Sequence, residues 1–339
     1  MYKTVPVIAL LMTLQAHASI PNDSALVAFR SGLAEKESGR AKAAFDLFQK
    51  AVQYDSGYVE AQRELGLSAL GMRRYDVAER CFSKVLQTQP DDTLANVQLA
   101  NLHFNHRRWK PAIQYGMKSL ELHAGRRMNW IVGRSHLELE HYEQAFRYLD
   151  AAYKDEPKNG EIPYQIARGL FDISNFKLSS KYYSEAVGLD SSKAAWIYET
   201  AIAHSSIPDY RTAIGYFELA MARGYKVDED FIDNLCETYV GAGMPEKAID
   251  MQKKMLEKSP MDQSLMFMIA DTYYRMKEYK KAVSHWEQLL AYDNENARAV
   301  YMIGLALQKD GEKRKGQAMC DKAIEMDPSL RYYRQVYRW

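Results

Sequence analysis

AFDLFQKA, residues Ala44 to Ala51, sets a small, a large and a small side chain at spacings of four and three. Residues so spaced share one face of a helix. Thirty-four residues later Ala78, Phe82 and Val85 repeat the arrangement, followed by Ala112, Gly116 and Ser119. It returns as Ala145, Leu149 and Ala152, as Ser179, Tyr183 and Ala186, and as Ala213, Phe217 and Ala220. After one extra residue come Ala248, Gln252 and Met255, then Ala282, Trp286 and Leu289, and last Gly316, Cys320 and Ala323. A beat of this length marks stacked helical units, none of which buries its own apolar face.

Let the first residue of each triplet occupy the twentieth place of its period. The eighth place then holds Gly32, Gly66, Ala100, Gly133, Ala167, Ala201, Cys236, Ala270 and Gly304. A minimal side chain once per unit allows a second helix close approach, so the eighth and twentieth places are expected to meet. Pro90, Pro157, Pro260 and Pro328 fall between helices, where a missing N–H is tolerated. A long coiled coil would need an uninterrupted 3.5-residue repeat, which Gly and Pro at the unit boundaries break.

The pattern resembles the tetratricopeptide repeat (TPR) family. Leu65-Gly66, Ile269-Ala270 with Tyr273, and the segment AIEMDP from Ala323 to Pro328 carry the likeness. The resemblance implies an all-α, right-handed α-solenoid of tandem helix-turn-helix units. Nine repeats are expected over 25–330, starting near 25, 59, 93, 126, 160, 194, 229, 263 and 297. Repeat seven departs from the pattern with Pro245 in its second helix and Gln252 at a large apolar place. The extra residue falls at Gly224-Tyr225-Lys226-Val227, where a bend is expected.

Residues 1–18 read as a secretory signal peptide. Lys3 precedes an apolar run from Val5 to Leu14, and Ala16-His17-Ala18 forms the cleavage site. An apolar helix end that caps repeat one is the other reading. Residues 19–24 form a short leader, and 331–339 a C-terminal cap that uses Tyr333 and Tyr337, or else a docking tag. The expected location is outside the cytoplasm: periplasmic in a Gram-negative source, secreted otherwise. The apolar run is too short to span a bilayer, so no membrane insertion is expected.

The 45 basic side chains nearly balance the 44 acidic ones, which gives no general attraction for nucleic acid. The basic run Arg107-Arg108-Trp109-Lys110 is read as a solvated turn in repeat three. Cys81, Cys236 and Cys320 are far apart in the chain and read as free, structural thiols. His103, His136 and His204 all hold the eleventh place, where packing is the expected role and a metal site is not. No nucleophile elbow, phosphate loop or paired-cysteine motif is present, so no enzyme activity and no cofactor are expected.

Function is therefore sought on a surface. The resemblance implies that places 2, 5, 9 and 12 of each repeat face a concave groove. They are Phe29, Arg63, Asn101 and Phe104; then Arg127, Trp130, Arg134, Tyr164, Arg168 and Phe171; then Tyr198, Asp230, Asp233, Glu237, Phe267, Asp271, Tyr274 and Tyr301. The middle group alternates aromatic and arginine side chains, types that carry binding energy at interfaces. Asp233, Glu237 and Asp271 would favour a basic segment. Pairing of these arginines with nearby acids, or packing of the rings between repeats, is the competing reading. The family's carboxylate clamp is not matched, because Trp130 and Tyr164 stand where it needs lysine. Two functions remain open: a non-catalytic scaffold that binds a peptide or partner-protein segment, and a structural subunit of a cell-envelope assembly or secretion complex. Partner identity and oligomeric state are not readable.

Overall fold

The computed structural model describes residues 21–125 and 127–332; the expected signal peptide and most of the expected C-terminal cap lie outside them. The described residues form eighteen α-helices, one short 3-10 helix and no strand. They divide into two compact units, meeting in the chain at Pro157 and Lys158.

The first unit holds four hairpins: α1 (Asp23–Glu37) with α2 (Ala41–Tyr54), α3 (Val59–Gly71) with α4 (Tyr75–Thr88), α5 (Thr93–Asn105) with α6 (Trp109–Glu121), and α7 (Met128–Glu138) with α8 (Tyr142–Asp155). The second unit holds five. They are α9 (Glu161–Asp172) with α10 (Phe176–Leu189), α11 (Ala194–Ser205) with α12 (Tyr210–Ala222), α13 (Glu229–Gly241) with α14 (Pro245–Lys258), α15 (Gln263–Arg275) with α16 (Tyr279–Tyr292), and α17 (Ala297–Lys309) with α18 (Lys313–Met326). In both units each hairpin packs on the next, so each unit is a solenoid of helix-turn-helix elements.

The eighth place is where the two helices of a hairpin come closest, and the reason lies at the twenty-fourth place as much as the twentieth. A methyl group on Gly66 would fall 2.8 Å from the Phe82 ring, and one on Gly32 would fall 2.7 Å from Phe48. On Gly133 it would meet both the side chain and the backbone nitrogen of Leu149 at 2.9 Å. At Gly304 it would lie 2.6 Å from the Cys320 sulfur and 2.7 Å from the Gly316 carbonyl oxygen. The large residue at place 24 is thus seated over the small one at place 8. Place 20 touches the same point through the backbone: the Ser179 hydroxyl donates to the Ala167 carbonyl at 2.8 Å. Where place 24 is itself glycine, at Gly116, Val132 of the following hairpin fills the space. Gln252, the polar exception, is buried and its amide donates to Thr272 at 3.0 Å.

The hairpin turns repeat as strictly as the helices. Place 15 lies in the left-handed region in eight of the nine: Gly39, Arg73, Arg107, Glu140, Ser174, Gly243, Lys277 and Gly311. The next N–H then returns to the carbonyl at place 11, as from Arg108 to His103 at 2.8 Å and from Glu278 to Tyr273 at 3.0 Å. This is the Schellman closure, which satisfies carbonyls left over at a helix end. The ninth turn has Pro208 at that place, whose ring fixes φ near −65° and forbids the left-handed form. Asparagine and aspartate start many first helices: Asp92, Asp228, Asp262 and Asn296 each accept a backbone N–H of the first turn. Pro245 opens α14, where its missing N–H is harmless.

Arg107 and Arg108 do lie in a turn, but Trp109 and Lys110 begin α6, and Arg108 grips Glu79 with two bonds of 2.9 and 2.7 Å. The extra residue after repeat six is absorbed in the loop between α12 and α13. There the Tyr225 ring stacks on Tyr198 at 4.5 Å.

Gly304→Ala should lower stability by about 1–3 kcal/mol, since the intruding carbon meets backbone that cannot yield. Ala78→Trp, at the buried twentieth place of repeat two, should cost a similar amount. Gly215→Ala, inside α12 with open space around it, should instead raise stability by about 0.5–1 kcal/mol. Urea unfolding of the three variants checks the placing of the whole frame. Equal stability of Gly304→Ala and parent would refute it.

Candidate functional site

With the eighth and eleventh places facing the partner helix, the sides of each first helix at places 2, 5, 9 and 12 are left to other work. Fifteen residues at these places were expected to form the binding surface. Arg63, Asn101, Phe104, Arg127, Trp130 and Arg134 belong to the first unit, and Tyr164, Arg168, Phe171, Tyr198, Asp233, Glu237, Phe267, Asp271 and Tyr274 to the second. The expected central cluster is therefore divided between the units, three residues in each.

In the first unit most of the expected residues serve the fold. Arg63 is ion-paired to Asp92, the cap of α5, and donates to Gln89 at 2.6 Å. Arg134 is ion-paired to Glu138 one turn along the same helix. The Asn101 amide bonds back to the Val97 carbonyl at 2.7 Å. Trp130 packs against the cluster of Ala100, Ala112, Met128 and Ile131. Arg127 is exposed but precedes α7 rather than lying on it, which corrects its placing on a helix face.

A second rule emerges for the aromatics. The ring at place 12 meets the ring at place 17 edge to face across the turn: Phe104 with Trp109 at 5.8 Å, Phe171 with Phe176 at 5.0 Å, and Tyr274 with Tyr279 at 5.5 Å. Place 5 is mostly a packing place. Tyr164 stacks on Trp196 at 4.5 Å, and Phe29 meets Tyr58 edge-on at 5.0 Å. Tyr301 is fully buried, so it presents nothing to a groove, contrary to expectation.

The histidines at place 11 are explained by the same logic. His103 stacks on Tyr115, His136 on Tyr148 and His204 on Tyr216, each twelve residues on. Tyr273 and His285 make the same pair with the residue types exchanged. Burial holds the His103, His136 and His285 imidazoles below their ordinary range, so they pack as neutral rings. His204 also joins a chain of bonds: its ring lies 2.9 Å from the Ser184 hydroxyl at Nε2 and 2.8 Å from the Asp209 carboxylate at Nδ1. Acyl transfer on such a serine needs amide donors for the developing oxyanion. Ser184 lies inside α10, whose N–H groups are engaged in helix bonds, so this chain ties α10 and α11 to the start of α12.

Two hollows in the second unit are lined mainly by first helices. One, of about 360 Å³, is lined by Arg168, Phe171, Asp172, Tyr183, Tyr198, Glu199, Ile202 and Asn234. Its polar atoms are largely partnered already. Glu199 accepts from the Tyr164 and Tyr183 hydroxyls at 3.0 Å each, and the Asn234 amide donates to the Tyr198 hydroxyl at 3.0 Å. What this hollow offers is ring and aliphatic surface. Arg168 donates to the neutral Gln165 at 3.2 Å and has no direct ion pair among the described residues.

The other hollow, of about 410 Å³, lies over α13, α15 and the start of α17. Glu229, Asp230, Asp233, Glu237 and Asp271 line it, against Arg275 and Arg298. Arg275 bridges the first helices of two hairpins, with Nε 2.7 Å from Asp271 and Nη1 3.0 Å from Glu237. Arg298 lies over the Phe267 ring, 4.4 Å from its centre. Asp233, like Glu229 and Asp230, makes no ion pair among the described residues. Partial desolvation on the groove wall raises its carboxyl above the usual range. Glu237, Asp271 and Asp230 push the same way, against Arg275. No three His, Cys, Asp or Glu side chains among the described residues are arranged to hold a metal ion.

Of the residues lining these hollows, Arg168, Phe171, Tyr198, Asp233, Glu237, Phe267 and Asp271 were among those expected from the sequence, and Glu199, Asn234, Arg275 and Arg298 were not. Glu199 and Asn234 both occupy place 6, beside the ring at place 5, and that adjacency was the available signal.

Hairpins stacked in register, with inner faces of differing chemistry, define the class of helical-repeat interaction proteins. The model of the tetratricopeptide repeat family matches residues 63–126 and 267–330. The BBSome complex member BBS4 of Bos taurus is 26% identical over 148 residues, 44% of this chain and 28% of that protein. The protein CTR9 homolog of Arabidopsis thaliana is 23% identical over 244 residues, 67% of this chain and 22% of that one. Tetratricopeptide repeat protein 21B of Xenopus laevis is 20% identical over 316 residues, 81% of this chain and 23% of that one. The chain thus spans between 22% and 28% of the length of these relatives. Among solved structures it is similar to YrrB, a TPR protein with an unusual peptide-binding site, at 22% identity and a TM-score of 0.39, over 53% of this chain and 92% of that one. It is also similar to Pseudomonas aeruginosa pilF, at 16% identity and a TM-score of 0.44, over 61% and 95%. These matches and the helical hairpins together support a protein of the tetratricopeptide-repeat family, and TPR proteins generally act as protein-interaction scaffolds. No described helix is long and apolar enough to cross a membrane.

Asp233→Asn should raise stability at pH 7, because it removes a charge that the fold disfavours. With the folded carboxyl titrating above its unfolded value, the cost of ionisation is present above the folded pKa and absent below the unfolded one. The gain should therefore shrink as pH falls from 7 towards 4. Urea unfolding of both proteins at several pH values measures it; a stability loss at pH 7 would contradict the assignment.

Proposed function

We propose that the chain is a non-catalytic scaffold that holds an extended segment of a partner protein on the first-helix face of its second unit. The observation that carries this is the acidic hollow: Glu229, Asp230 and Asp233 line it without an ion pair among the described residues, beside Glu237 and Asp271, so like charges are gathered on one open surface. Groups arranged against stability in this way are expected where a surface serves binding. Arg168, with no acid in direct contact, supports the same reading one hollow away. Neither nucleic acid nor a membrane is the partner in this reading, since the acids would repel both.

A second reading, a fixed subunit of an envelope assembly or secretion complex, draws support from hollows lined mainly, though not wholly, by second helices. Leu86, Tyr115 and Met117 line one in the first unit, and Leu256, Met266 and Tyr292 one in the second. Capture from the native envelope fraction separates the two. Arg168→Glu, with unchanged thermal unfolding, should reduce recovery of the bound protein at least tenfold if the face is the binding site. Stoichiometric recovery that ignores this substitution would favour the assembly.

The proposed location, periplasm or medium, rests on the leader pattern of residues 1–18. Fractionation with N-terminal sequencing should find the mature chain outside the cytoplasm, beginning at Ser19. A cytoplasmic protein that retains Lys3 would refute export.

A further inference from the structure

The two hollows of the second unit share a wall. Asn234 lines the first and Asp233 the second, and both are on α13. Consecutive residues on a helix are turned about 100° apart, so one helix naturally serves both sides. Packed helices lie about 8–10 Å apart. Taking that spacing for successive first helices, the step from the first hollow, lined by α9, α10, α11 and α13, to Asp233 on α13 is one to one and a half helix spacings, about 10–15 Å. An extended chain advances about 3.3 Å per residue, so the two hollows are three to five residues apart for a strand-like ligand. A helical ligand, at about 1.5 Å per residue, would need seven to ten.

The hollows differ in what they accept. The first is bounded by Phe171, Tyr183, Tyr198 and Ile202, and its carboxylate and amide already have partners. Its ring and aliphatic walls suit a large apolar side chain, and Arg168, which lines it too, leaves a positive charge beside that side chain. The second already holds guanidinium groups in two ways, Arg275 between two carboxylates and Arg298 on an aromatic face. Five acids against these two cations leave room for a third, and Glu229, Asp230 and Asp233 have no ion pair among the described residues, Asp233 lying between the other two and the Arg275 pairs in sequence. A guanidinium is more weakly hydrated than an ammonium and bonds a carboxylate with two parallel N–H groups, so arginine is favoured over lysine in a partly dry groove.

We propose that the second unit reads a two-part signature in its partner: a large apolar side chain seated between α9 and α11, and an arginine bound at Asp233, three to five residues apart along an extended segment. This rests on the reading of that face as the partner-binding surface.

The test uses fluorescein-labelled peptides with one phenylalanine and one arginine in a Gly/Ser background, the two placed one to ten positions apart in both orders. Fluorescence anisotropy with the full chain should show tightest binding at a separation of three to five, at least tenfold over separations of one or two. Replacing the arginine by citrulline should abolish that optimum, and replacing it by lysine should weaken it several-fold. Asp233→Asn, a shape-preserving change, should weaken the arginine peptide about tenfold and leave the citrulline peptide unchanged. Ile202→Trp, which fills the first hollow, should remove the dependence on phenylalanine. An optimum at seven or more, no dependence on spacing, or no measurable binding would each overturn the signature. If partner capture nonetheless depends on Arg168, the interaction reading stands and only the signature fails. If capture ignores Arg168, the underlying reading fails.

Discussion

At the eighth place of each period no more than a methyl or thiol-sized group separates the two helices of a hairpin, because a large side chain from the second helix lies directly over it. That contact governs the remainder. Interiors pack at crystal-like density, so the seat of Phe48 over Gly32, of Phe82 over Gly66 and of Leu149 over Gly133 admits little rotation of one helix about the other. Once the eighth place is turned inward, places 5, 9 and 12 are fixed relative to it, and the open side of each first helix is decided before any surface residue is chosen. The left-handed residue at place 15 then sets the return of the chain, so the two constraints fix crossing and turn together.

This explains why the fold was legible and the site only partly so. Small residues recur because sterics leave no choice, and the period in Ala44, Ala78 and Ala112 reports that constraint directly. The seat at place 24 was visible as the large member of each triplet, although its partner was first taken to be place 20. Place 15 was hidden because its conformation is shared by Gly39, Arg73, Glu140 and Ser174, residues with no common chemistry. For the rings, the sequence could not say whether an aromatic at place 5 or 12 faces solvent or a neighbour. Place 12 answers to place 17 across the turn, and place 5 answers to the next hairpin, as Tyr164 does to Trp196. Arg275 was missed for a different reason: its long side chain reaches over α13 to Glu237, thirty-eight residues back. Such reach follows from three-dimensional neighbourhood and leaves no local mark.

Arginine shows how one residue type divides between structure and recognition. Arg63 and Arg134 each have a carboxylate within bonding reach and so are held by the fold. Arg168 has only a neutral amide. Partly exposed ion pairs contribute little to stability, about 0–1 kcal/mol, so neither kind is explained by folding energy. What separates them is availability: a charge already matched orders its neighbours, and one left unmatched in a hollow attracts something else. The acidic hollow applies the same distinction, with Glu237 and Asp271 matched by Arg275, and Glu229, Asp230 and Asp233 left over.

Near-zero net charge conceals this arrangement. The 45 basic and 44 acidic side chains cancel in total, yet within the second unit the acids gather over α13 and α15, and a free guanidinium stands near α11. Electrostatic complementarity acts through such local fields, over about 8–10 Å at physiological salt, so the total is nearly irrelevant to partner choice. The step from one field to the other is made by α13 alone, between two residues adjacent in sequence: Asp233 turned to the acidic side and Asn234 to the aromatic one. A repeat protein varies its ligand by changing side chains on a fixed frame. Here the frame places that boundary within a single peptide unit, so exchanging the two residue types would put a charge against the ring-lined hollow and an amide among the acids. In the reading proposed above, side-chain identity at these two positions, rather than any change in the solenoid, sets what the second unit binds.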